Sequence, residues 1–400
     1  MRLLIYCDEY PPAISGGIGS VTKIVAEELV KKGHTVVIVG AYEKNNFECI
    51  SEINGVKIYR LYYFNFLKYV PFFFKKIIKV FLKKTYILSK IAKYDFIRIE
   101  NSIEKIIDQE KIDCFELTDY IHLLTEVTES VPFKIFKVPT TMRIHGSISF
   151  LGINNCTIKK YQLKNDIAHF SRTQKQSAVS HFSKKFVVEN FNLKEDLIDV
   201  IYNPIENTLI KTNPSFKRNG KTILFYGKII SSKGAFQVIN AFNIIGKFYK
   251  DWDLVLIGSG EIDLAKSLID PTLRNRVFFK GYVSREEVIS MVDISTFCLI
   301  PSQFENFSMV ALEILARGKA LIYTRLTSGP EIITHGYNGI LVNPYSVEEI
   351  VASVKSLIED ELLTNKLAIN GYNRVNNFKV DLISLDLLNH YYSLNNNSLL

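Results

Sequence analysis

Short apolar runs, each handing over to glycine or proline and then to a stretch of helical periodicity, recur along the whole chain. Arg2 to Cys7 reads as a first strand, interrupted after Pro11-Pro12 by Gly16-Gly17-Ile18-Gly19. A helix from about Ser20 to Lys32 follows, closed by Gly33, and Thr35 to Val39 is the next strand. Asp113 to Asp119 and Pro139 to Ile144 read as further strands, the second delivering His145-Gly146 at its carboxyl end. Phe186 to Asn190 and Leu197 to Tyr202 complete this half, and the polar stretch Asn203 to Gly220 reads as an interdomain linker. Alternation then restarts. Thr222 to Tyr226 is a strand, Gly227 to Gly234 a loop, and Ala235 to Phe248 a helix. Leu254 to Ile257 ends in Gly258-Ser259-Gly260, Val277 to Lys280 in Gly281-Tyr282, and Ser295 to Ile300 in Pro301-Ser302. Met309 to Arg317 is helical, with Ser308 as N-cap and Gly318 as stop. The pattern predicts an α/β chain with two Rossmann-like, doubly wound parallel sheets.

Chemistry gathers where strands hand over to loops. Glu305 lies at the mouth of the helix opened by Ser308, and Glu313 lies inside that helix, eight positions on. Helix mouths offer backbone N–H groups and partial positive charge to a phosphate, and carboxylates accept paired hydrogen bonds from sugar hydroxyls. Glu313 and Arg317, four apart, equally suit a surface ion pair. Lys228 and Lys233 project from the glycine loop of the second half and suit a diphosphate. Gly17-x-Gly19 is not a dinucleotide fingerprint, because Thr22 stands where the third glycine belongs. Glu43 beyond the second strand only weakly mimics a ribose-binding acid.

With 400 residues, 47% of them hydrophobic and 22% charged, the chain supports two globular domains. Five cysteines at irregular intervals, with no CxxC pair, speak against a zinc knuckle or disulfide framework and for a reducing compartment. The N-terminus turns acidic too soon for a signal peptide, and no apolar run reaches the ~18 residues of a spanning helix. The net charge of +8 sits in residues 61–94, which hold eight lysines and no acid. So concentrated a charge argues against a nucleic-acid partner. After Pro71, a helical wheel gathers Lys75, Lys76, Lys79, Lys83, Lys90 and Lys93 opposite Phe74, Ile77, Ile78, Phe81, Leu88 and Ile91. This is either a domain helix with a solvated face or an interfacial helix drawn to anionic lipid. The second reading makes the protein cytoplasmic and peripheral at the inner face of the plasma membrane.

The ordered set Gly16-Gly17-Ile18-Gly19, His145-Gly146, Gly227-Lys228, Lys233-Gly234, Gly258-Ser259-Gly260, Glu305 to Glu313, Gly329-Pro330-Glu331 and Asn338 to Val342 resembles the retaining glycosyltransferases of the large group 4. The likeness covers nearly the whole chain and is to the type that builds bacterial surface polysaccharides. It implies a GT-B fold, two domains facing across a cleft: an acceptor domain over 1–203, a nucleotide-sugar domain over 204–375, and a last helix in 376–400 packing back on the first. By position, Lys228 and Lys233 grip the donor diphosphate, Lys228 replacing the usual arginine and losing its bidentate fork. Glu313 takes the ribose hydroxyls. Glu305, with the backbone of Asn306, Phe307 and Ser308 ahead of Met309, takes the donor sugar, Asn306 and Ser308 standing for the commoner glycines. Gly17, Gly19 and Gly227 approach the phosphates, Tyr282-Val283 meets the base, and His145 lies beside the transferred sugar. The implied reaction moves a hexosyl unit from a UDP- or GDP-sugar to a lipid-linked or polysaccharide acceptor, with no cofactor. Asp251-Trp252-Asp253 mimics the acid pair that holds a metal in another glycosyltransferase fold, but it precedes its strand, so no essential metal is expected. A sugar-nucleotide 2-epimerase of the same fold and a non-catalytic nucleotide-sugar-binding protein remain as alternatives.

Overall fold

The computed structural model describes residues 1–13, 16–43, 48–63, 65, 70–71, 73–74, 78, 82, 86–127, 129–147, 149–150, 160–216 and 220–396. Lys75, Lys76, Lys79 and Lys83, which carry the membrane-helix reading, lie outside the described residues. The chain forms two compact units, one of residues Met1–Pro204 with Val380–Leu400 and one of Ile205–Lys379.

The first unit is built on strands β1 (Arg2–Tyr6), β2 (Thr35–Glu43), β3 (Ile50–Ile53), β4 (Val56–Tyr63), β5 (Cys114–Thr118), β6 (Thr140–Ile144), β7 (Lys175–Ala178) and β8 (Ile198–Val200). Their order is β3-β4-β2-β1-β5-β6-β7-β8, parallel throughout except for the edge pair β3–β4. That pair turns on Asn54-Gly55, both at positive φ (51° and 78°), the geometry a two-residue hairpin demands. The order reverses at β1, so the carboxyl ends of β1 and β5 flank a crevice.

Three expectations for this half need correction. The helix after β1 begins at Gly17, not near Ser20 (it spans Gly17–Lys31), and β2 continues to Glu43. Phe186 to Asn190 belong to the helix His181–Phe191, capped by Ser180, whose buried Ser183, Val187 and Phe191 recur every fourth residue. Lys90 and Lys93 lie on the helix Ile87–Glu110, which buries Ala92, Phe96, Ile99 and Ile103 and leaves Ile87, Ile91 and Tyr94 exposed.

The last helix, Val380–Asn396, is part of this unit. It buries Ile383, Leu387, Tyr391 and Leu394. The Tyr391 hydroxyl donates to Glu116 (2.7 Å), and His390 bridges Thr141 Oγ1 and Asp199, each at 2.7 Å. Asp199 also pairs with Lys175 at 2.6 Å, and these partners hold its carboxyl down at about 2.

The second unit carries β9 (Thr222–Tyr226), β10 (Asp253–Ile257), β11 (Val277–Gly281), β12 (Phe297–Ile300), β13 (Ala320–Thr324) and β14 (Ile340–Val342). These form a parallel sheet in the order β11-β10-β9-β12-β13-β14, with the reversal between β9 and β12. Its core includes Phe225, Leu254, Leu256, Phe297, Leu299 and Ile322, packed under the helices Ala235–Phe248 and Val347–Glu359. Residues 205–211 of the stretch expected to be a linker are instead built into this unit. Ile205 N–H donates to Phe378 O (2.7 Å), Leu209 is buried and its carbonyl accepts from Arg317, and Lys211 N–H donates to Ala316 O. The Asn, Thr and Pro side chains of the stretch made it look solvated, whereas these backbone groups are satisfied inside the fold.

Candidate active site

The loops after β9 and β12 stand side by side at the switch point of the second sheet. After β9 the chain runs through Gly227 and the exposed Lys228 to Lys233 and Gly234, where the helix Ala235–Phe248 starts. Gly234 has φ 79°, and a Cβ there would lie 2.2 Å from Pro301 O, so the two loops touch through a position only glycine can fill. Gly258 and Gly260 repeat the device: added Cβ atoms would sit 2.0 Å from Gly227 O and 2.3 Å from Ile229 O. Gln303 N–H donates to Ser232 O, adding a backbone tie.

Across this junction Lys233 Nζ contacts Glu305 Oε1 at 2.7 Å, so the two loops meet through an ion pair. The loop holding Glu305 is braced from its other side, since Thr327 Oγ1 accepts from Glu305 N–H and Ser328 Oγ donates to Glu305 O. Ser308 Oγ then accepts from Ala311 N–H, capping the helix Met309–Ala316. Phe307 is buried with its ring 5.6 Å from that of Phe378, so its side chain anchors the loop while Asn306 and Met309 stay half-buried.

Glu313 faces a different partner from the one its spacing offers. Arg317 is engaged by Asp293 (2.5 and 2.8 Å), whereas Arg285 Nη2 reaches Glu313 Oε1 at 3.4 Å. Glu206 stands 3.9 Å from the same Arg285 nitrogen, and Tyr226, at the end of β9, lies beside the Glu313 carboxyl. Burial pushes the Glu313 carboxyl up, Arg285 opposes that, and Glu206 adds to it. Val283 is half-buried, and Tyr282, directly after β11, is 91% exposed. Arg285, Glu206 and Tyr226 were not singled out from the sequence, where nothing near them marks the pairing.

In the first unit, Gly17 opens its helix and a Cβ there would meet nothing within 4 Å. Gly19 is absorbed by packing, its would-be Cβ 2.1 Å from Glu9 O, and the Glu9 carboxylate accepts from Gly16 N–H (2.9 Å). His145 is held neutral by burial and by Arg143. The buried Asp119 fixes the backbone there by accepting from His145 N–H and Gly146 N–H, both at 2.9 Å. Burial raises its carboxyl to about 7 and that of Asp8, which accepts from Ala41 N–H and His122 N–H, to about 6. Both acids follow the strand pair at the crevice, and a strand ending in Asp was the signal that could have revealed them. Glu43 bonds Asn65 (2.7 Å). Asp251 pairs with Lys221, Trp252 is buried, and Asp253 opens β10. Among the described residues no cluster of three His, Cys, Asp or Glu side chains could hold a metal ion.

Two parallel α/β units of this kind are shared with sucrose-phosphate synthase from Thermosynechococcus elongatus, at a TM-score of 0.77 and 17% identity over 98% of each chain. Anabaena HepE, solved with UDP, has the same architecture at a TM-score of 0.69 and 16% identity, over 98% of this chain and 99% of that one. The fold is GT-B. Residues 15–208 match the family described as Glycosyltransferase Family 4, and residues 207–374 match the one described as Glycosyl transferases group 1. The chain therefore belongs to these glycosyltransferase families. An uncharacterized glycosyltransferase of Methanocaldococcus jannaschii is 28% identical over 98% of this chain and 98% of its own.

Proposed function

We propose that the protein is a retaining hexosyltransferase using a UDP- or GDP-sugar. Lys228 and Lys233 hold the donor diphosphate, Glu313 the ribose and Glu305 the donor sugar, with His145 beside the group transferred. The observation that carries this reading is the Lys233–Glu305 pair at the β9/β12 switch point, where open α/β sheets receive ligands. As the bond from sugar to diphosphate breaks, negative charge grows on the leaving oxygens. Lys233, already fixed by Glu305, needs little reorganisation to meet that charge, and Lys228 adds a second cation. A carboxylate already paired with an ammonium is an acceptor of hydrogen bonds, so Glu305 acts as a hydroxyl anchor and not as a proton donor. The reaction is then a same-face displacement without a covalent enzyme intermediate, needing no metal. Incubating the protein with UDP- and GDP-sugars and isolated membranes is expected to release nucleotide and label a glycan with the donor's anomeric configuration retained. Epimerised sugar nucleotide, or tight binding with no turnover even with membranes present, would overturn the assignment.

We infer further that the acceptor is a lipid-linked or polysaccharide chain in surface-glycan synthesis, met at an anionic membrane face. Support comes from the lysine-rich, acid-free segment 61–94 and from Ile87, Ile91 and Tyr94, which stand exposed beside Lys90. Among the described residues no helix is long and apolar enough to cross a membrane. Co-sedimentation should be stronger with vesicles containing anionic lipid than with neutral ones, and weaker in high salt. Equal partitioning removes the membrane role.

A further inference from the structure

The surroundings of Glu313 carry an assignment that rests on, and sharpens, the donor-site reading. Arg285 is the first residue of the helix Arg285–Ile294, whose N-cap Ser284 accepts from Glu287 N–H. A cation at a helix N-terminus opposes the helix dipole, which favours the acids Glu286 and Glu287 that follow it. Arg285 is therefore poorly placed for its own helix. Its side chain instead reaches across to the helix Met309–Ala316 and stands between two carboxylates, 3.4 Å from Glu313 and 3.9 Å from Glu206. The side chains of Glu313 and Glu206 are 21% and 35% exposed, so ligand can reach both.

We infer that Arg285 is a positioning residue, the counter-ion that keeps Glu313 charged and aimed for ribose hydroxyls and that passes from Glu313 to Glu206 when a nucleotide arrives. The groups facing Glu313 are few. Arg285 comes from one helix, Glu206 from the segment ahead of the second sheet, and Tyr226 from the end of β9. Burial and Glu206 favour the protonated acid; Arg285, the only cation of the three, opposes them most strongly, and a hydrogen bond from Tyr226 adds a smaller opposing contribution. A protonated carboxyl offers one acceptor fewer and turns one oxygen into a donor, so it holds a pair of vicinal hydroxyls poorly. Glu206 gives the displaced guanidinium a place to go, which lowers the cost of exchange. Because the folded-state acid is shifted upward, its charge is lost as pH falls, and losing Arg285 must move that loss to higher pH.

The test is nucleotide binding by calorimetry at pH 6, 7 and 8, using UDP, GDP and ADP, on the full chain and on Arg285→Gln, Arg285→Lys and Glu313→Gln. Arg285→Gln is expected to lose roughly two- to fivefold more affinity than the wild type between pH 8 and pH 6, because a carboxyl without its cation gives up its charge sooner as the pH falls. Arg285→Lys restores the wild-type profile, since a point charge suffices. Should Arg285→Gln bind with the wild-type pH profile, or lose affinity equally at every pH while melting normally, the inference fails. Glu313→Gln separates this failure from that of the donor site: wild-type affinity in that variant, or no nucleotide binding by the wild type, would sink the donor reading and the Arg285 assignment together.

Discussion

Replacing Lys233 with alanine is expected to lower kcat/KM for glycosyl transfer by ~100-fold or more, the ~3 kcal/mol that one well-aimed donor contributes to a developing anion. Two losses combine. On the proposed donor site the diphosphate loses a fixed cation, and Glu305, whose side chain is 13% exposed, loses the ammonium it pairs with. The double variant Lys233→Ala/Glu305→Gln should consequently be less impaired than the product of the two single effects, because the second change removes a charge the first has stranded. Steady-state kinetics with a single sugar donor measures all three. Activity within a few-fold of wild type in Lys233→Ala would take this loop out of the chemistry. Lys228 is exposed and, among the described residues, pairs with no carboxylate as Lys233 does, so its removal should cost less.

Deleting residues 380–400 is expected to have the largest structural effect. Ile383, Leu387, Tyr391 and Leu394 are buried by the first unit. At about 1.5–3 kcal/mol for each large apolar side chain, their combined burial rivals the ~5–15 kcal/mol that separates most folded domains from their unfolded state. The deletion also strips Glu116 of the Tyr391 hydroxyl and Thr141 of His390. Limited proteolysis should then cleave first within residues 1–204, leaving 205–379 protected. A truncated chain that melts within a few degrees of the full one would show the helix to be an accessory.

Much of the fold is legible because it is written locally. The strand ends at Tyr226, Ile257 and Ile300, the Ser308 cap and the stop at Gly318 all depend on neighbours in sequence, and the structure has each where the pattern sets it. What escapes reading depends on partners far away. Arg285 and Glu313 are 28 positions apart, Asp119 and Gly146 are 27, and Asp199 and His390 are 191. No period or spacing encodes such pairs. The early helix start is a different case. Glycines at 17 and 19 have poor helix propensity, yet the close seat of Gly19 on the Glu9 backbone and the burial of Val21, Ile24 and Val25 override it. The run at 186–190 misleads because Phe and Val favour strands, while the four-residue recurrence of Ser183, Val187 and Phe191 carries the correct period. Asn54-Gly55, by contrast, is a hairpin signal that needs no distant partner to be read.

The three crossing glycines at 234, 258 and 260 restrict how this protein could change its substrate over evolutionary time. Each sits against a carbonyl oxygen of the adjoining loop at a distance no side chain tolerates, so the paths of these loops cannot drift one at a time. Novelty has to come from what projects off a fixed track. Positions such as Tyr282, almost wholly in solvent, are free to vary without disturbing the track, and a library aimed at a new donor belongs there.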